Sequence, residues 1–493
     1  MRKLVQRVRD FSASIWSGLI RSIDAYWGVY FGILLIILLL IGFTNLGLPQ
    51  IEPWDEARHG VNAYEMLQNR DFIRTTYQYA TDYWNLKPPL SAWIIALSYR
   101  IFGFHAFALR FYSALSYLVT CLIVSLSVKR HYGKVASLTV LLMFAVSFDV
   151  FFNHMARAGD ADALFVLLYT ISMLSVIRYT ETENSKLLYL ASLAFAFAFL
   201  AKSFHAGCIV VTMALILIAA KKLRRLTLVN WIVSVLCAVL PIAVWAVARY
   251  VSDGTVFLKD MFAYDLVTRS SEVLDGHVGT AWYYVMEPLR YWSVRVLLVM
   301  TAAGSAVHFA QKRSVSSRTV SIFLWAAVPV VLFSFVKTKL NWYIYPANIA
   351  LIILGSVSFS KLFCRPNVKL WTMGLCAALL LFSLKLVVNN IESVIDVPDL
   401  NPTHAFLRTT IQRDGDRSGA DCYIDTGDWT QDELLQAELS GGFVCIDGGY
   451  EAFRKANAGA HILMTDLDAL PPQERARFEI VAQDERCSLL RKP

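Results

Sequence analysis

The chain has 493 residues, of which 56% are hydrophobic, 13% aromatic and 17% charged, with a mean hydropathy of +0.49. A soluble domain carries about 25% charged residues, so this composition excludes a globular, disordered or disulfide-scaffold protein and predicts a polytopic membrane protein. The formal net charge of +8 does not point to nucleic acid, because the basic residues cluster in short connections between apolar runs, where they record orientation.

The opening stretch is basic and amphipathic, and no small-residue cleavage site follows the first long apolar run, so no cleavable signal peptide is expected. A crossing helix needs about 20 apolar residues. Eleven spans are predicted, at about 27–44, 107–127, 135–152, 162–179, 187–201, 205–220, 228–250, 291–310, 319–337, 341–360 and 369–388. The apolar run 88–102 (PPLSAWIIALSYRIF) is short, opens on two prolines and carries Arg100, and reads as an interfacial or re-entrant helix. Leaving it out places every basic cluster on the side of Arg2, Lys3, Arg7, Arg9 and Arg21. Those clusters are Lys129, Arg130 and Lys134; Arg178 and Lys186; Lys221, Lys222, Arg224 and Arg225; Lys312, Arg313 and Arg318; and Lys361, Arg365 and Lys369. By the positive-inside rule this side is the cytoplasm.

The expected fold is thus a polytopic α-helical membrane protein of about eleven spans, with a transmembrane module at 1–388 and a soluble extracytoplasmic α/β domain at 389–493. Outward loops fall at about 45–106 and 252–290. In the tail, strand-like runs (CYIDTG, FVCIDGG, HILMTD, FEIVAQ) alternate with helix-like ones (TQDELLQAELSG, YEAFRKANAG), which predicts βαβ units and a partly parallel sheet. The glycine pairs at 441–442 and 448–449 read as turns, since no GxGxxG or GxxxxGK[ST] surrounds them. Cys422, Cys445 and Cys487 leave two alternatives, one disulfide or three buried thiols.

Charged groups at the outward ends of spans are few, and each has two readings. In WDEARHG, Asp55 and Glu56 suit a helix start, where the dipole favours carboxylates. Alternatively a carboxylate there acts on an attacking hydroxyl while Arg58 holds an anion. Lys87 in YWNLKPPL is a snorkelling lysine or a phosphate contact. Asp160 and Asp162 follow Arg157 in NHMARAGDADALF, and acids this close to a membrane helix are costly unless capping, paired or used. With Lys202 in the next outward turn, and Lys337 and Lys339 in KTKLNWYIYP, the residues Arg58 and Lys87 complete a positive ring suited to a lipid phosphate.

Taken in order, WDE, KPPL before a short helix, R-x4-D at Arg157 and Asp162, the Lys202 turn and LNWYIYP resemble the GT-C superfamily of polytopic glycosyltransferases. The nearest branch is that of lipid A aminoarabinose transferases and protein O-mannosyltransferases, and the likeness covers about the first 350 residues. The resemblance implies inverting transfer of a sugar from a polyprenyl phosphate donor to an acceptor hydroxyl, outside a bacterial inner membrane. The acceptor would be a glycan, a lipid or a protein, with lipid A or lipopolysaccharide foremost. It implies Asp55 as catalytic base and Asp162 as the second acidic position, with Glu56 and Asp160 beside them. Arg58, Lys87 and Lys202 would contact the lipid phosphate, with Lys337, Lys339, Tyr343 and Tyr345 also at the substrate. Aminoarabinose transferases carry a metal-binding Glu before the KPP lysine; here that residue is Leu86, so a divalent cation stays open. The second outward loop, with Asp265, Arg269, Glu272, Asp275 and His277, is expected to close over the substrates. The competing readings are a sugar or lipid flippase, which would place charges near the bilayer midplane, and a non-catalytic scaffold.

Overall fold

Within a bilayer only an internally hydrogen-bonded helix or a closed barrel satisfies the backbone, and the long apolar runs fold accordingly. The computed structural model describes residues 2–274, 276–310, 314–365, 369–411, 418–427 and 429–493. Asp275, Lys312 and Arg313 fall outside them.

Helices α1 (Arg2–Ala25) and α2 (Trp27–Phe43) meet at an 82° bend. The first long connection holds α3 (Asp55–Asn69), the hairpin β1 (Thr76–Tyr77) and β2 (Ala80–Thr81), and α4 (Leu90–Phe102). Then come α5 (Ala106–Tyr132), α6 (Lys134–Val146), the short α7 (Phe148–Phe151) with a π-helical turn at Phe152–Ala156, α8 (Asp162–Thr182), α9 (Ser185–Lys202), α10 (Gly207–Ala219) and α11 (Leu228–Asp253). The second long connection contains α12 (Val256–Met261), a π-helical turn at Phe262–Thr268, α13 (Arg269–Ser271) and α14 (Tyr283–Met286). It leads to α15 (Trp292–Ala310), α16 (Ser317–Phe335), α17 (Tyr345–Phe363) and α18 (Leu370–Ile395).

Each of the eleven expected spans is helical, but eleven crossings are not established. Among the described residues seven helical stretches are long and apolar enough to cross, or eight if the bent α1–α2 pair is one span; Lys134–Val146 and Trp292–Val307 are apolar but shorter. One of the seven, the 35-residue stretch Ser185–Ala219, is not a single rod. It breaks at Ser203–Ala206, and Glu183, before α9, pairs with Lys222 and with Arg225 (3.0 Å), which follow α10. A straight helix of that length would hold these groups about 50 Å apart, so α9 and α10 fold back on one another.

Side-chain pairs sort the two ends of the bundle. At one end Lys134 lies 3.9 Å from Asp24, Lys129 sits over the Trp27 ring, Arg318 pairs with Glu181, and the Trp16 indole donates to the Phe363 carbonyl. These contacts join the basic connections, so the clusters do share an end. At the other end the Arg110 guanidinium, early in α5, donates to the carbonyls of Leu46, Pro49 and Gln50 just past α2. Helix α5 therefore begins where α2 finishes. Between them α4, 13 residues and about 20 Å long, leaves the chain at that same end and does not cross.

In the tail, α19 (Pro402–Thr409), β3 (Asp421–Asp425), α20 (Gln431–Gly441), β4 (Val444–Ile446), α21 (Gly449–Lys455), β5 (His461–Met464), α22 (Pro472–Arg475), β6 (Glu479–Gln483) and β7 (Ser488–Arg491) build a sheet of order β4-β3-β5-β7-β6. The first three strands are parallel and β7 and β6 are antiparallel. This matches the expected βαβ units; β7 is an addition. Gly442 and Gly448 adopt positive φ (72° and 109°) at turns. Cys422, Cys445 and Cys487 are buried free thiols. The tail docks on α3: the Trp54 and Trp429 rings stack at 4.2 Å, Arg408 donates to Leu48 (2.6 Å) and Pro49 (3.1 Å), and Gly60 leaves no room for a Cβ beside Leu435.

Candidate active site

Trp54, with φ at +73°, turns the chain into α3 and puts Asp55 and Glu56 in its first turn. Strain of this kind persists only where neighbours over-determine it, and here Trp429 stacks on the ring. Asp55 accepts a hydrogen bond from Lys87 at 3.0 Å, and the two side chains keep 28% and 16% of their surface open. Pro88 and Pro89 fix the backbone that presents Lys87.

Glu56 points the other way. It accepts from Arg110 Nε (2.7 Å) and Nη2 (2.8 Å), and from the backbone N–H groups of Gly159 (2.7 Å) and Glu52 (2.8 Å), fully buried. It is a strut joining α3, α5 and the loop before α8. Arg58 is likewise engaged elsewhere. Its guanidinium forms a double hydrogen bond to Asp82 (2.8 Å each) and lies over Tyr77. Where the resemblance placed Arg58 at a phosphate, the structure turns its Nε–Nη2 edge to Asp82, in service of the fold of the first loop.

The π-helical turn Phe152–Ala156 supplies a residue that no spacing in the sequence announces. His154, at φ +55°, stacks on Trp342 and brings its Nδ1 to 2.7 Å from Asp160. The carbonyls of Gly159 and Asp160 accept from the Tyr112 hydroxyl (3.1 and 2.6 Å), which holds the acidic loop on α5. Asp162 is ion-paired with Lys202, and both are buried. Arg157 donates to the carbonyls of Ile41 and Thr44 at the end of α2, a structural placement.

From the second loop Arg269 pairs with Asp265 (3.2 Å) and donates to the Tyr343 hydroxyl (3.4 Å). His205 meets Tyr343 edge-on. So Tyr343 belongs to the cluster, whereas Tyr345 is buried beneath it against Phe151. Lys339 donates to the carbonyls of Phe333 (3.0 Å), Ser334 (2.7 Å) and Val336, closing the last turn of α16. Where the resemblance placed Lys339 at the substrate, the structure has it capping a helix C-terminus. Lys337 is exposed, and its backbone N–H joins Ser270.

Electrostatics separate these groups. Burial opposes charge on Asp55, but Lys87, His59 and His154 outweigh it and hold the carboxyl well below the usual range. Burial lifts the Asp160 carboxyl, with His154 opposing. Burial works against protonation of His154, yet the adjacent Asp160 raises it to about 9. His59 is held down to about 4 by burial and then by Lys87. Asp55, His154 and Asp160 offer ligand atoms that all lie within 4.8 Å of one another, a donor set of one nitrogen and two oxygens that fits a divalent cation.

Residues 86–248 match the family of dolichyl-phosphate-mannose-protein mannosyltransferases. A protein of Aquifex aeolicus is 26% identical over 364 residues, 71% of this chain and 69% of its own length. The undecaprenyl phosphate-alpha-4-amino-4-deoxy-L-arabinose arabinosyl transferase of Yersinia pestis is 25% identical over 324 residues, 64% of this chain. The match spans 56% of that relative's length. In fold, the chain superposes on ArnT from Cupriavidus metallidurans, solved with undecaprenyl phosphate, with a TM-score of 0.69 at 14% identity, covering 94% of this chain and 97% of ArnT. The Archaeoglobus fulgidus oligosaccharyltransferase follows at TM-score 0.53, 11% identity, 88% of this chain and 69% of its own. These likenesses agree with the GT-C resemblance carried by the motifs, and in fold the chain is similar to membrane glycosyltransferases. The likeness of fold extends into the tail domain, past the 350 residues in which the motifs lie.

Proposed function

We propose that the chain transfers a sugar, with inversion, from a polyprenyl phosphate to an acceptor hydroxyl outside the bacterial inner membrane, with lipid A or lipopolysaccharide as acceptor. The observation that carries this reading is an open carboxylate, Asp55, held against Lys87, with Arg269 as a further cation that acts on both. The undecaprenyl phosphate named for ArnT and the aminoarabinosyl transfer named for the Yersinia relative support the donor class.

Lys87 is paired with Asp55. A donor phosphate entering between Lys87 and Arg269 draws the lysine toward itself by charge-assisted hydrogen bonds. Asp55 loses its counter-ion and becomes a better base. The acceptor oxygen then bonds to the anomeric carbon as the bond from that carbon to the phosphate oxygen breaks. The electron pair leaves with the phosphate, and the acceptor proton passes to Asp55. Asp162 holds Lys202 in an ion pair beneath the donor. A divalent cation held by Asp55, His154 and Asp160 would add positive charge beside the phosphate.

A protein acceptor is the second reading, supported by the mannosyltransferase match over residues 86–248. Purified protein in vesicles, given synthetic undecaprenyl phosphate aminoarabinose with lipid A or with a Ser/Thr peptide, tests both. Transfer to lipid A is expected. Failure to transfer from any polyprenyl phosphate sugar to either acceptor would overturn the reading.

A further inference from the structure

At the end of the bundle away from Asp55, a cavity of about 450 Å³ opens between α5, α8, α9, α16 and α17. Arg130, Arg178 and Arg318 line it together with Leu174, Ile177 and Ile322. Three guanidinium charges meet one carboxylate there: Glu181 pairs in a two-pronged manner with Arg318, and among the described residues neither Arg130 nor Arg178 hydrogen-bonds a carboxylate. With His131, also in the lining, counted as neutral, two positive charges are left unmatched.

Basic residues at this end follow from orientation alone, so what matters is where they point. Arg225, in the connection after α10, leaves 66% of its side chain in solvent even while paired with Glu183. Arg318 leaves 14% and Arg178 is half-buried among aliphatic side chains, whereas Arg130, also in the lining, is exposed and meets the cavity from the solvent side. A guanidinium turned into an apolar cavity between membrane helices is costly unless an anion meets it. The volume suits a headgroup together with the first carbons of its chains rather than a lone small ion. Basic cavities between helices at the basic end of a membrane protein are the setting in which lipid phosphates bind.

We infer that this cavity is a binding site for the phosphate headgroup of an anionic phospholipid, distinct from the donor site at the other end. The phosphate oxygens accept from Arg130 and Arg178, Arg318 stays on Glu181, and the acyl chains leave between α8 and α16. A lipid carrying two phosphodiester charges matches the unmatched pair.

Native mass spectrometry of the full chain, released from bilayers of phosphatidylcholine with cardiolipin or phosphatidylglycerol, tests this. Wild type is expected to retain cardiolipin at least about tenfold over phosphatidylcholine, and Arg130→Gln with Arg178→Gln to lose about tenfold of that retention. Arg318 is left intact to keep its pair with Glu181. Leu174→Trp fills the cavity without removing charge and should also expel the lipid, so the inference stays testable if the double variant folds poorly. Unchanged cardiolipin retention in a folded double variant, or in Leu174→Trp, would overturn it. So would displacement of the lipid by millimolar inorganic phosphate, which would mark a site for a free anion.

Discussion

Asp55 and Glu56 are consecutive in sequence, yet they enter regions of opposite character. Around Glu56 everything is closed: its carboxylate receives two hydrogen bonds from Arg110 and two from backbone N–H groups, with 1% of the side chain exposed. Around Asp55 the pairing is thin, with one lysine at 3.0 Å and lone pairs left over on a side chain 28% exposed. A buried charge is tolerated when all its hydrogen-bonding capacity is met, and such a group has nothing left to offer a substrate. A partly open pair with one partner can exchange that partner. A related contrast divides Arg58, buried and doubly bonded to Asp82, from the more open Lys87.

The sharpest way to break this comparison is to remove Arg110. Arg110→Ala leaves Glu56 buried and uncompensated, for which a loss of about 3–5 kcal/mol is expected. It should appear as failed membrane expression or a much lower melting temperature; a stable, active Arg110→Ala protein would mean Glu56 is no strut. Next in size is Asp55→Asn, which keeps shape and removes the proton acceptor. Turnover should fall at least about a hundredfold while donor binding persists, as measured by transfer in vesicles beside a lipid-binding assay. Lys87→Ala should weaken donor affinity about tenfold. Arg58→Lys, by contrast, should act on stability and leave donor affinity within about threefold, which would separate the two basic residues that spacing alone groups together.

The residues readable from sequence were those whose chemistry survives without geometry. An acid, an Arg and a Lys at the outward ends of apolar runs are anomalous wherever their side chains point, and Asp55, Lys87, Asp162 and Lys202 do come together in two ion pairs. Direction was not readable. Arg58 and Lys339 carry the right charge at the right end, but one turns to Asp82 and the other back onto α16. His154 was illegible for a different reason. It reaches Asp160 only because a π-helical turn and a positive φ rotate it out of the helical register. Span length gave way for a related cause: Lys134–Val146 is shorter than its apolar run because the backbone bends at Ser147 and continues as α7 and the π-helical turn.

The smallest expected effect concerns His154, and it bears on the open region alone. Asp160 raises the imidazole to about 9 against burial, above the value near 6.5 of an unfolded histidine. Because the folded value is the higher one, the pair contributes in full below about pH 6.5 and its contribution fades as pH rises through about 9. In metal-free protein, melting temperature and turnover should therefore decline between about pH 8 and 10, turnover by less than tenfold. His154→Gln should start lower and lose this alkaline dependence, while the Glu56–Arg110 strut contributes nothing to it. A divalent cation must displace the proton from His154 to bind beside Asp55 and Asp160, so its affinity should climb over the same interval. An alkaline decline that survives in His154→Gln would place the titrating group elsewhere, with Lys87 the first residue to examine.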